Sequence, residues 1–198
     1  MSIHLSEEEQ LEVLKRWWKD HGKTVIGAVL VAVIVYFGYT TWVERQHATA
    51  EQASSVYDQL VKSVETEPGQ ALSDTNKATA ARLAHELKTE YANTFYAHAA
   101  SLQLAKLAVD AGDLDGAISE LKALIDSKPE ATVESLAKLR LARAYIGKHA
   151  YSDALALVSA EPEAAFVGDY AEAKGDALRA QGDVSAARAA YQAALSAL

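Results

Sequence analysis

The six histidines of this chain stand at 4, 21, 47, 85, 98 and 149, and no two are three or four residues apart. A helix therefore cannot turn two of them onto one face to hold a metal ion. There is no cysteine, which excludes thiolate nucleophiles, disulfides and cysteine metal sites. Glu161 and Glu163 flank Pro162 and read as solvated acids of a turn, not as a general acid and base. Gly112-Asp113 and Gly175-Asp176 read as turn and packing positions, because no strand precedes them to form a phosphate loop. Ser54-Ser55 has no base near it in sequence. No catalytic, cofactor or metal site is expected, and the chain reads as non-enzymatic. What remains is binding.

The elements that would position a binding surface begin with an anchor. Residues 24–43 read TVIGAVLVAVIVYFGYTTWV, an uncharged run in a chain that is otherwise 23% charged. As a helix it is long enough to cross the hydrocarbon core of a bilayer. Trp17 and Trp18 before the run, with Tyr36, Tyr39 and Trp42 at its far end, suit the two headgroup layers. Ala48-Thr49-Ala50 offers a small-residue cleavage site, but the apolar run is longer than a secretory signal needs. Lys15, Arg16, Lys19 and Lys23 precede the run, whereas only Arg45 follows closely. The positive flank stays in the cytoplasm, so everything after Val43 is expected outside.

Residues 1–23 then form a cytoplasmic amphipathic stem, with a capping box at Ser6 and Glu9 and one face built from Leu11, Leu14 and Trp18. The stem reads as an interfacial segment, with a docking motif as the alternative. Residues 44–198 are left as one outer domain carrying 22 acids and 15 bases. Its acidity argues against nucleic acid as a partner, since phosphate contacts need basic patches.

The outer domain is expected to be all-α. Good helix formers dominate it, and Pro68, Pro129 and Pro162 fall between its periodic segments. Its informative pattern is a repeat. Ala117, Ala154 and Ala187 are spaced 37 and 33 residues apart, and the turn glycines Gly112, Gly147 and Gly182 are spaced 35 and 35. The middle unit is degenerate, with His149-Ala150 in place of Gly-Asp and a two-residue offset. A period near 34 in helix–turn–helix units is the tetratricopeptide signature. Each alanine would let paired helices approach, with Leu121 and Tyr191 filling the next turn against the neighbouring unit. Residues 44–93 read as a diverged first unit, broken at Pro68-Gly69, whose second helix carries Ala80, Leu83, Ala84 and Leu87. No polar capping helix follows the last unit before Leu198, so a partner or a second copy is expected to cover that end.

A stack of this kind binds on the concave wall made by the first helix of each pair. The repeat register puts Leu102, Lys106 and Val109 on that wall in one unit. Leu139, Arg143 and Ile146 follow in the next, and Glu172, Asp176 and Arg179 in the last. Apolar and charged residues mixed in this way suit an amphipathic helix or an extended segment of a partner protein. Asn76 and Asn93 lie outside these helices, so an asparagine-and-lysine clamp for a free carboxyl terminus is not expected.

The segment EQLEVLKRWWKDHGKTVIGAVLVAVIVYFGYTTWVERQ at 9–46 resembles the start of the YfgM family, ancillary subunits of the bacterial SecYEG translocon. LRLARAYI at 139–146 and RAQGDVSAARAAYQAAL at 179–195 resemble the later repeats of that family. Its members tend to carry more residues after the last repeat. The resemblance implies a single-pass protein of the bacterial inner membrane with its repeats in the periplasm. It implies association with SecYEG, with the membrane-anchored chaperone PpiD and with unfolded secreted proteins emerging from the channel. It also implies a link to envelope stress signalling through the cytosolic segment. A repeat scaffold for cell-envelope assembly or division is the alternative reading.

Overall fold

The computed structural model describes residues 7–65, 70 and 72–197. The capping box at Ser6, the break at Pro68-Gly69 and the chain end at Leu198 lie outside the described residues. Two compact units are present, Met1–Thr49 and Ala50–Leu198. Helix α1, Glu7–Val64, contributes to both.

In the first unit, α1 is long and apolar enough to cross a membrane, and none of its apolar window is buried. Ile34 and Phe37 are 70% and 63% exposed. A core helix of a soluble domain would have hidden them, so the exposure fits a membrane anchor. The hydroxyls of Thr40 and Thr41 donate back to the Phe37 carbonyl at 3.1 and 2.8 Å. These polar groups of the apolar run thus satisfy themselves within the helix, as a hydrocarbon surrounding demands. Before the run, Trp17 stacks on His21 with ring centroids 5.5 Å apart.

The second unit is a series of antiparallel helix pairs. Ala53, Val56 and Leu60 of α1 are buried in one cluster with Ala80, Leu83, Ala84 and Leu87 of α2, Asp74–Glu90. The diverged first unit is therefore a true pair, and its first helix is the continuation of α1. Three further pairs follow. They are α3 (Phe95–Asp110) with α4 (Leu114–Asp126), α5 (Ala131–Gly147) with α6 (Tyr151–Val158), and α7 (Val167–Gln181) with α8 (Val184–Ser196). A short 3₁₀ turn at Ala164–Phe166 leads into α7. Among the described residues there is no strand.

The turn between paired helices recurs with one geometry. Gly112 and Gly182 take φ of 77° and 93°, a left-handed conformation that costs glycine nothing. Asp113 N–H reaches back to Ala108 O at 2.8 Å, and Asp183 N–H to Leu178 O at 3.0 Å, the closing bond of a Schellman motif. Asp113 and Asp183 then cap the next helix, accepting from Gly116 N–H at 2.9 Å and Ala186 N–H at 3.0 Å. That bond holds the Asp183 carboxyl below its ordinary pKa.

The middle unit carries the two-residue offset expected of it, with His149-Ala150 in place of Gly-Asp. Gly147 is still inside α5, and the left-handed residue is His149, with φ of 61°. Ala150 N–H closes the motif on Tyr145 O at 2.9 Å. The turn residues are thus 112, 149 and 182, spaced 37 and 33 residues apart, the same spacing as the buried alanines. The His149 ring lies within 2.7 Å of the Tyr151 hydroxyl, a local bond that accompanies a backbone conformation histidine rarely takes.

Ala117, Ala154 and Ala187 are 0%, 0% and 2% exposed, each on the fourth residue of its helix, where paired helices touch. Leu121 is buried with Val133, Ala137 and Leu141 of the following unit, as the register requires. Tyr191 behaves differently: it packs back on α7 of its own unit. A Cβ added at Gly175 would come within 2.5 Å of Tyr191 Cε1, so the ring occupies the space a side chain would need. The Tyr191 hydroxyl donates to Asp176 Oδ1 at 2.7 Å. Glycine at 175 is a packing requirement, not a turn.

Buried polar groups tie α5 to the last unit. The Tyr170 hydroxyl donates to Ser135 O at 2.9 Å, and Ser135 Oγ accepts from Glu163 N–H at 3.3 Å. Burial raises the pKa of the Tyr170 phenol, keeping it a donor.

Candidate functional site

Helices α3, α4 and α5 line an open cavity of about 340 Å³. Lys106 and Val109 line it from α3, Leu114 and Leu121 from α4, and Arg140 and Arg143 from α5. Arg143 is also the link to the last unit. Its Nη2 lies 3.4 Å from Glu172 Oε2 and 3.5 Å from Asp169 Oδ1, both on α7. Asp169 and Glu172 in turn border a second cavity of about 430 Å³ with Tyr191 and Leu195. The structure thus brings Lys106, Val109, Arg143 and Glu172 into one series running across three helix pairs. Asp176 and Arg179 stand further along α7, 3.8 Å from each other, with Asp176 occupied by the Tyr191 hydroxyl.

Two expected wall residues are corrected. Leu102 is 8% exposed and packs with Leu121, Leu124 and Val133, while Leu139 is 2% exposed and packs with Ala142, Val158 and Tyr170. Each is a core residue. The physical reason is the same in both units: the next first-helix crosses over that turn. Arg140 Nη1 of α5 reaches the Leu102 carbonyl at 3.0 Å, and Tyr170 of α7 reaches the Ser135 carbonyl one turn before Leu139. One turn later Lys106 and Arg143 emerge exposed. Ile146 is half-buried against the cluster that holds Leu139.

Arg140 was not among the residues expected from sequence. It is half-buried, and desolvation lowers its pKa, with the neighbouring Arg143 charge adding to the effect. The signal that could have found it is its place three residues before Arg143, which puts both guanidinium groups on one helix face. The acids read as solvated turn residues sit between units. Glu163 accepts a hydrogen bond from the Thr132 hydroxyl. Ion pairs between successive units complete the surface, Lys88 with Glu120 and Lys148 with Asp115. This arrangement can hold and orient a peptide segment by burial and charge.

The family model described as a tetratricopeptide repeat-like domain matches residues 15–198. The chain belongs to that family. It is 29% identical over 91% of its length to a Neisseria gonorrhoeae protein named ancillary SecYEG translocon subunit, covering 83% of that protein. Proteins of the same name from Haemophilus influenzae and Escherichia coli are each 28% identical over 98% of this chain, which covers 91% and 89% of them. No solved structure matches the chain. The resemblance read at 9–46 and in the later repeats is therefore borne out, as is the all-helical repeat fold behind an apolar helix. The family is of a non-enzymatic kind.

Proposed function

We propose that this protein is an accessory subunit of the SecYEG translocon, held in the bacterial inner membrane by residues 24–43. Its repeats act as an adaptor for partner proteins. The observation that carries this reading is the extent of the likeness: relatives named for that role match through the anchor and the repeats together, over 91–98% of this chain. The basic flank before the apolar run supports a cytoplasmic amino terminus and a periplasmic repeat domain. The partners are a PpiD-like membrane-anchored chaperone and unfolded secreted proteins emerging from the channel. The open turns around Lys106, Val109 and Arg143, bordered by apolar residues, are the surface suited to such segments.

The test is photocrosslinking in intact cells from two exposed positions of the full-length protein. A photoreactive phenylalanine analogue at Val109 faces the cavity, and one at Ala123 of α4 does not line it. Adducts containing SecY or PpiD are expected from Val109 and not from Ala123. Adducts with either protein from Ala123 alone would remove the groove from the reading, and their absence from both positions would remove the repeats.

A further inference from the structure

We propose that the cavity between α3, α4 and α5 recognises an acidic, partly apolar segment of a partner protein, with a carboxylate on Arg140 and an apolar side chain against Val109 and Leu114. The inference rests on the adaptor reading above and adds the chemistry of the segment bound. Three cations line the cavity, Lys106, Arg140 and Arg143, and among the described residues no carboxylate lines it. This happens in a domain that carries 22 acids against 15 bases, so the cavity runs against the charge of its surroundings. The remaining lining is apolar: Ala105, Val109, Leu114, Leu121 and Ala144.

The three cations are not equivalent. Lys106 is paired with Asp110 at 2.8 Å, and Arg143 reaches Asp169 and Glu172. Among the described residues Arg140 makes no ion pair. Its one hydrogen bond goes to the Leu102 carbonyl, which uses a single donor of five. No buried side-chain nitrogen or oxygen among the described residues lacks a partner, so the other Arg140 donors are not sealed in the core. Arg140 itself is one of the residues lining the cavity. The Leu102 bond holds the guanidinium in place, while like charge from Arg143 and partial burial make an incoming anion favourable. A carboxylate bound there would be read by a planar fork already oriented, and the apolar floor would take the residue beside it. A segment alternating acidic and aliphatic residues matches both demands.

The test uses the full-length protein in lipid nanodiscs and fluorescence anisotropy of an end-blocked nonapeptide alternating glutamate and leucine. The expected result is saturable binding that weakens about tenfold or more when glutamine replaces glutamate in the probe, the scale of a hydrogen bond to a charged group. Arg140→Gln should weaken the glutamate probe by a similar factor and leave the glutamine probe unchanged. Because the probe-side change alters nothing in the protein, it reads the charge contact even where Arg140→Gln disturbs the fold. Equal binding of the two probes, or no binding of either, would overturn the proposal. So would displacement of the probe by millimolar inorganic phosphate or by phosphatidylglycerol vesicles, which would assign the site to phosphate or lipid. Co-migration of the same preparation with SecY is scored separately, so loss of peptide recognition alone leaves the adaptor reading standing.

Discussion

Leu139→Ala is expected to lower the stability of the repeat domain by about 2–5 kcal/mol. The residue is 2% exposed, and its side chain fills the space between Ala142, Val158 and Tyr170. Truncation removes the transfer free energy of the lost methyl groups and leaves a cavity that neighbouring helices close only in part. For a domain of this size the melting temperature should fall by something on the order of 10 °C, read by circular dichroism on the detergent-solubilised protein. Val109→Ala is the contrast. Val109 is 46% exposed at the cavity edge, and its truncation should change stability by about 0.5 kcal/mol or less. A melting temperature that Leu139→Ala leaves unchanged would mean that the side chain faces an open groove after all. Binding losses in Leu139 or Leu102 variants therefore report on folding first.

The second large effect is topological and all-or-none. The natural chain has no cysteine, so single-cysteine variants label cleanly. Ala78→Cys lies at an exposed position on α2, and Glu12→Cys lies on the stem before the apolar run. In spheroplasts a membrane-impermeant maleimide should modify Ala78→Cys and spare Glu12→Cys until the membrane is permeabilised. The four basic residues before the run and the single one close after it set this direction. The reverse labelling pattern would invert the orientation and place the repeats in the cytoplasm.

Those two variants probe features that the residues made readable to different degrees. The anchor could be read directly, because twenty uncharged positions with aromatic ends have few other uses. The buried alanines could be read too, since helix pairs approach closely only over a small side chain, and the period repeats that requirement at 117, 154 and 187. The middle turn is legible by alignment more than by residue type. Gly147 keeps the glycine spacing, but His149-Ala150 stands where the other units have Gly-Asp, and the chain bends at His149, where a histidine accepts the left-handed conformation. Residue type alone favours Gly147, whereas the alanine spacing of 37 and 33 agrees with the offset turn.

The candidate groove was readable by face but not by depth. Helical periodicity groups Leu102 with Lys106 and Val109, and Leu139 with Arg143 and Ile146. It says nothing about how far the next helix covers that face. Here α5 packs over Leu102 and α7 over Leu139, so the leucines are buried, while the Lys106 and Arg143 side chains stay exposed. Arg140 was missed for the related reason that its importance lies in a contact with a carbonyl 38 residues away. Tyr191 was read against a neighbouring unit because a large residue one turn after a small one usually bridges units. Gly175 draws it back onto α7 instead.

Blue native electrophoresis after mild detergent extraction of membranes tests the translocon assignment most directly. The full-length protein, detected by an epitope tag, should migrate with SecY in a complex larger than either alone. That band should be lost when the apolar run at 24–43 is replaced by an unrelated membrane helix and the repeats at 50–198 are deleted. Migration apart from SecY in every mild detergent, with the repeats folded and the anchor intact, would contradict an accessory role at the translocon.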